Sequence, residues 1–467
     1  MATTVNLRKL LDRKQWEMVN YAPASSASGS FIVSSNLEDQ FQYFFVSAAV
    51  IYKYDPYEDA WTQIPASGAA GTFGPGSCGC RHPYGPTGTA TAGTTTTVTT
   101  NLTLTRDLRG YKIRITAGTN AGEERTIASN TIGANAVITV SSPFTSAITV
   151  SSVYQLMTGR IWFINAGTLA AGSFKFYDYA TNTWTNGTQT GLPATIGTDG
   201  RLISTPGYVT DFAVGTATSA TSTTLVNSAK AWATNQWTNS QVRITGGTGA
   251  GQIRTIASNT GTTLTVSAAW TITPDATSVY VIEGNNDFLY FLGNNAVTMY
   301  RYSISGSTWT TLAPGVARAA APGSGMSGNW VWEVNDTAWK DENNIMNGRY
   351  IYSWRGNGSA VLDRYDIAAN TWSVVTWSPN TELIAAASSH TYSGDYIFTS
   401  LGNTGRVVKF NLITSELDPH TQLWYTQGAA IVGDKFFDVH YTDGATTLTW
   451  LYFMTHTQPT MFRQLII

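Results

Sequence analysis

Charge is scarce in this sequence. Only 12% of its 467 residues are Asp, Glu, Lys or Arg, about half of the roughly 25% usual in soluble domains. Lys and Arg number 27 against 29 Asp and Glu, a formal net charge of -2. With no basic field to neutralise phosphates, nucleic-acid binding is excluded as the main task. Cysteine is nearly absent too. Cys78 and Cys80 stand too close together to staple distant parts of the fold, and synthesis in a cytosol would keep them as thiols. No apolar run reaches the roughly 18 residues of a membrane-spanning helix. Met1 to Trp16 lacks the apolar core of a secretory signal, so no export signal is expected.

What fills the space is small, hydroxylated and aromatic: 43 Gly, 71 Thr, 16 Trp and 23 Tyr. Thr, Tyr, Trp, Val and Ile favour strands and Gly marks turns, so the chain reads as all-β. Its length suits about three domains or one large repeat fold.

A repeat is present. An apolar run, a basic residue, an aromatic and Asp or a small polar residue recur as Tyr52-Lys53-Tyr54-Asp55, Lys175-Phe176-Tyr177-Asp178 and Tyr300-Arg301-Tyr302-Ser303. The pattern returns as Asp363-Arg364-Tyr365-Asp366, Val408-Lys409-Phe410-Asn411 and, degraded, Phe462-Arg463-Gln464-Leu465. Trp61, Trp184, Trp309 and Trp372 follow four of these copies across turn-forming residues, so each unit reads strand, tight turn, strand. The marker positions 54, 177, 302, 365, 410 and 464 are separated by 123, 125, 63, 45 and 54 residues. Removing a Thr-rich stretch of about 70 residues from each of the first two gaps makes the series regular near 54, the period of a four-stranded propeller blade.

The Arg364–Trp372 grammar (RYDIAANTW) resembles kelch-type propeller repeats, although the double glycine of kelch blades is missing. The resemblance covers the chain outside the two Thr-rich stretches. Trp16-Glu17-Met18-Val19 is similar to Trp61-Thr62-Gln63-Ile64, so residues about 14–20 are expected as the outer strand of the last blade, closing the ring and removing open edges.

The two Thr-rich stretches resemble each other. Arg114–Thr131 and Arg243–Thr260 agree at 14 of 18 positions, offset by 129. Each is expected to form a small β-sandwich or barrel, with Gly246-Gly247 and Gly249 in a tight turn rather than a phosphate loop, because neither a Lys-Ser/Thr nor a helix follows. These modules resemble Gly/Thr-rich β inserts in structural proteins of tailed bacteriophages.

The expected fold is therefore an all-β, six-bladed kelch-like β-propeller carrying two inserted small β-sandwich or barrel modules. The expected segments are 1–88 (closing strand and blade 1), 89–157 (first module), 158–214 (blade 2), 215–284 (second module) and 285–467 (blades 3–6).

Candidate chemistry is thin. Cys78-Gly79-Cys80-Arg81-His82 has too few ligands at the wrong spacing for zinc, so no metal and no cofactor are expected. The regularly placed basics Lys53, Arg301, Arg364, Lys409 and Arg463 are expected to make repeated contacts between strands or blades, not to converge on one carboxylate. The repeated Trp residues are expected as packing. No catalytic residue is assigned, and the chain is expected not to be an enzyme; polysaccharide hydrolysis ranks below binding. Among ligand-like patches, Trp339, Asp341 and Glu342 stand out, because indole faces stack on sugars and carboxylates take hydroxyls. The resemblance implies a bacteriophage virion component (tail, neck or head-decorating) made in the host cytoplasm, whose partners are other virion proteins and copies of itself. The alternative is a receptor-binding component that contacts a host-surface glycan.

Overall fold

The computed structural model describes residues 16–24, 29–34, 39–46, 50–64, 71, 73–165, 169–197, 199–204, 212–294, 296–323, 326–331, 348–375, 384, 388–402, 404, 406–422, 436–443, 446–454 and 461–466. Among these residues there is no helix, and none long and apolar enough to cross a membrane.

Six four-stranded antiparallel sheets form the blades of a β-propeller. Blade 1 runs Phe31–Val33, Gln42–Val46, Val50–Asp55 and Ala60–Ile64. Blade 2 is Cys78–His82, Arg160–Ile164, Phe174–Asp178 and Thr183–Asn186, and blade 3 is Arg201–Ile203, Phe288–Leu292, Met299–Ser303 and Thr308–Thr311. Blade 4 is Asn329–Val331, Tyr350–Trp354, Leu362–Asp366 and Thr371–Val375; blade 5 is Ser389–Ser393, Tyr396–Ser400, Arg406–Asn411 and Glu416–Gln422. Blade 6 takes Phe436–Asp443, Thr446–Met454 and Met461–Ile466 from the end of the chain, and its fourth strand, Glu17–Val19, from the beginning. That strand pairs Glu17 with Arg463 and Val19 with Met461, and Arg463 Nε donates to Glu17 at 2.6 Å.

Strands in the middle of a blade are buried on both faces, which explains why they read as near-continuous apolar runs such as QYFFV and YIYSW instead of alternating. Each blade packs its faces against its neighbours. Separate apolar clusters join blades 2 and 3 (Trp162, Phe174, Phe291, Trp309), 3 and 4 (Tyr290, Met299, Ile351, Trp372), and 4 and 5 (Trp354, Leu362, Ile397, Phe410). Others join blades 5 and 6 (Phe398, Val407, Leu451, Phe453) and 6 and 1 (Phe437, Tyr452, Phe44, Tyr54). With the cluster that joins blades 1 and 2, the ring of interfaces is complete.

The two modules leave blades 2 and 3 between the first and second strands. Each is a seven-segment sheet with the same strand order. In the first module the terminal segments Thr87–Thr89 and Ala92–Gly93 are halves of one bent strand, tied to both flanks by Ala90 N to Ser152 O and Thr91 N to Thr99 O at 2.9 Å. The sheet therefore closes on itself as a small barrel, which leaves no free edge. The second module repeats this with Ala213–Thr216 and Ser219–Ala220. Because strands alternate in direction, the first-to-second loops and third-to-fourth turns open on the same face of the propeller, so both modules stand on that face.

Candidate functional site

The recurrent tyrosine explains itself locally. Between the third and fourth strands of blades 1 to 5 lies a four-residue turn whose last residue has a positive φ: Asp59, Asn182, Ser307, Asn370 and Ser415, at 49 to 57°. Asn, Asp and Ser dominate there because short polar side chains tolerate or stabilise the left-handed conformation. The tyrosine five positions earlier donates its hydroxyl to that residue: Tyr54 to Asp59 at 2.8 Å, Tyr177 to Asn182 at 2.6 Å and Tyr365 to Asn370 at 2.7 Å. Tyr302 is also hydrogen-bonded to Ser307, and burial pushes its phenol up. The tryptophan is the cross-strand partner of this tyrosine, with ring centroids 4.6 to 5.3 Å apart in blades 1 to 4. Trp309 and Trp372 are buried and Trp61 and Trp184 half-buried, so all four pack as the sequence suggests.

The recurrent basic residue lies over a ring on the second strand or just before it. Lys53 sits 3.7 Å from the Phe41 centroid, Arg301 4.0 Å from Phe288, Arg364 4.6 Å from Tyr350, Lys409 4.8 Å from Tyr396 and Arg463 4.6 Å from Trp450. Five of the six blades spend their marker cation on a ring of their own sheet, each contact worth about 0.5–1 kcal/mol.

Blade 2 differs, and the sequence pattern misassigns it. Register places Phe176, not Lys175, opposite Trp162, as Arg301 lies opposite Tyr290. Arg160 pairs with Asp178, as Phe288 pairs with Ser303. Ring and cation have exchanged strands: Arg160 lies 4.6 Å over Phe176. The exchange puts the cation directly opposite a carboxylate, and Arg160 Nε donates to Asp178 Oδ2 at 3.0 Å. Asp178 also accepts the backbone N–H groups of Ala180 and Thr181. Between this flank of blade 2 and the first module runs a groove of about 510 Å3.

The first module is welded to the propeller. Its core is continuous with that of blades 1 and 2, whereas the second module keeps a core of its own. Arg106 donates to the Tyr179 carbonyl, the Tyr177 hydroxyl and Asn182 at the blade 2 turn. Asp39 of blade 1 takes both terminal nitrogens of Arg81 at 2.8 Å and the Tyr111 hydroxyl of the module. Arg81 and Asp39 are almost fully buried, with side chains 1% and 6% exposed. The second module reaches blade 4 through Asn239 Nδ2, which donates to the Ile367 carbonyl at 2.9 Å.

The modules also pack on each other, and reciprocally. A Cβ on Gly122 would meet Thr245 O at 2.9 Å and Gly251 N at 3.2 Å; one on Gly251 would meet Thr116 O at 2.8 Å and Ala121 Cβ at 2.7 Å. At the offset of 129, Gly122 corresponds to Gly251, and Thr116 to Thr245, so each copy touches the equivalent part of the other, as across a two-fold axis. Both glycines have φ near +90°, which already favours Gly. The equivalent arginines Arg114 and Arg243 share one buried carboxylate: Glu283 lies 3.7 Å from Arg114 Nη1 and 3.2 Å from Arg243 Nη2. Arg114 Nε also bonds Glu124 at 2.9 Å.

The Cys-Gly-Cys-Arg-His segment is the inner strand of blade 2. Cys78 and Cys80 are thiols, and burial pushes the Cys80 thiol up. His82 accepts the Tyr84 N–H on Nδ1 at 3.2 Å, which leaves Nε2 to donate to the Asn286 carbonyl at 2.5 Å. Burial drives its pKa down to about 3, opposed by that carbonyl. Both ring nitrogens are occupied, so His82 is a buried neutral strut. Among the described residues no group of three or more His, Cys, Asp or Glu could hold a metal ion. Trp339, Asp341 and Glu342 lie outside the described residues.

No protein-family profile matches the chain, and no curated protein matches it. A solved structure described as "Crystal Structure of Mitotic Checkpoint Complex" is similar over 97% of this chain and 92% of that one, at a TM-score of 0.37 and 8% identity. So distant a likeness has no bearing on function, and the six-bladed fold rests on the strand pairing itself.

Proposed function

We propose that this chain is a structural component of a bacteriophage virion, in the tail, neck or head-decorating apparatus, working through protein–protein contact. Its partners are other virion proteins and copies of itself, and it performs no catalysis. One observation carries the reading. Two copies of a Gly/Thr-rich module, similar to inserts in tailed-phage structural proteins, stand on one face of the propeller and pack reciprocally around a shared carboxylate. The repeated aromatics and cations that could have formed a site are consumed by contacts within the blades. A propeller closed by both ends of its chain, bearing a two-lobed rigid projection, is suited to holding neighbours in fixed orientation. The kelch-like grammar belongs to the same reading, as an interaction platform. Peptide mass spectrometry with copy counting on purified particles tests it. A fixed copy number per particle is expected, and absence from clean particles overturns the proposal.

A further inference from the structure

We propose that the groove between the first module and blade 2 binds a neutral saccharide, with Arg160 as its principal hydrogen-bond donor. This stands apart from the particle assignment and draws on different residues.

An arginine beside the marker aspartate recurs in blade 4 as Arg349–Asp366, but the exchange of ring and cation between strands is seen in blade 2, and the groove lies on it. In blade 2 the exchange of Arg160 and Phe176 moves the guanidinium to the strand position beside Asp178. The Phe176 ring supports its plane at 4.6 Å and Asp178 takes Nε at 3.0 Å, so the side chain is fixed before any ligand arrives. Its terminal nitrogens, Nη1 and Nη2, donate to nothing among the described residues, although the side chain is only 23% exposed. Arg160 lines the groove with two terminal donors unused among the described residues, and charge-assisted hydrogen bonds from a guanidinium are strong.

The rest of the lining selects the ligand. Asp178 neutralises Arg160, so the groove offers directional N–H donors without net charge, which favours hydroxyl groups over an anion. Thr103 and Thr185 add hydroxyls that both donate and accept. Thr183, opposite Asp178, bonds Thr181 at 2.7 Å and borders the same space. The volume of about 510 Å3 falls within the ~300–1,000 Å3 of small-molecule sites. Vicinal hydroxyls of a pyranose match the spacing of a guanidinium fork, and the ring's C–H face matches the apolar part of the lining.

Saturation-transfer NMR on the full chain tests this with methyl glycosides of glucose, galactose, mannose and N-acetylglucosamine, and glucuronate as the anionic comparator. At least one neutral glycoside is expected to bind. Arg160→Gln should weaken it at least about tenfold, the loss of a charge-assisted hydrogen bond. Thr185→Val, which leaves the Arg160–Asp178 pair intact, should weaken it about threefold; it decides the matter if Arg160→Gln fails to fold. Three results would overturn the proposal: no neutral glycoside binding below ~10 mM, binding by glucuronate alone, or affinity unchanged in the folded variants. A protein found in particles that binds no glycoside would retain the first proposal and lose this one.

Discussion

Arg114 of the first module and Glu283 of the second come within 3.7 Å of each other, although 169 positions separate them in the sequence. Glu283 also accepts Arg243 and is only 2% exposed. Removing its charge leaves two buried guanidiniums short of a partner, although Arg114 keeps Glu124. Glu283→Gln should therefore cost about 3 kcal/mol in urea unfolding. A loss below ~0.5 kcal/mol would show that the shared carboxylate does not hold the modules.

Gly251→Val should separate the modules, because its Cβ would meet Ala121 Cβ at 2.7 Å and Thr116 O at 2.8 Å. Hydrogen exchange should rise at the amides on both sides of this contact. Gly133→Ala supplies the control: its φ is +115° but nothing lies within 4 Å of the added Cβ, so only a backbone cost of about 1 kcal/mol is expected. Equal exchange patterns in the two variants would contradict the reciprocal contact.

The turn tyrosines differ in what their hydroxyls hold. Tyr365 bonds Asn370, and Tyr365→Phe should cost about 1 kcal/mol. Tyr177 bonds Asn182 and also accepts Arg106 of the first module. Tyr177→Phe should cost about 2 kcal/mol, because a bond to a charged group is lost as well. Thermal melts of the pair would expose an error if Tyr365→Phe proved the more damaging.

Acid should destabilise the fold through buried histidines. His82 stays neutral in the folded chain down to about pH 3, whereas its ordinary value is 6.5. Between those limits the unfolded chain binds the extra proton, so stability is present above about pH 6.5 and falls as pH drops. Each such histidine contributes a slope of about 1.4 kcal/mol per pH unit. His390 adds to it, held well below the ordinary value by burial and by Arg201. Urea midpoints recorded from about pH 6.5 to 4.5 should fall more gently for His82→Gln, by about one proton's slope. An unchanged slope would refute the role given to His82.

Much of the architecture was written in local patterns. Tyrosine, a left-handed turn residue and tryptophan sit within eight positions of one another, so a single stretch such as Tyr365–Trp372 carries the whole hairpin. Four such stretches, with two weaker copies at Phe410 and Gln464, count the blades once the two Thr-rich stretches are set aside. The groove was not legible, because it depends on register between strands. Lys175-Phe176-Tyr177-Asp178 reads as one more basic–aromatic marker, yet pairing puts Phe176 at the basic position and brings in Arg160 from 16 residues upstream. The junction of the modules was hidden for a similar reason. Glu283 belongs to no motif, and it earns its place only when two strands far apart in the chain are folded against each other.

The closing strand of blade 6 sets a schedule for synthesis. Glu17 and Arg463 are 446 residues apart. At roughly 5–20 residues per second, a ribosome needs about 20–90 s to travel from one to the other. Throughout that interval five blades can form while Glu17–Val19 waits as a lone strand and the ring stays open. That seam therefore cannot close before Arg463 emerges, and a nascent chain released earlier cannot complete its circle.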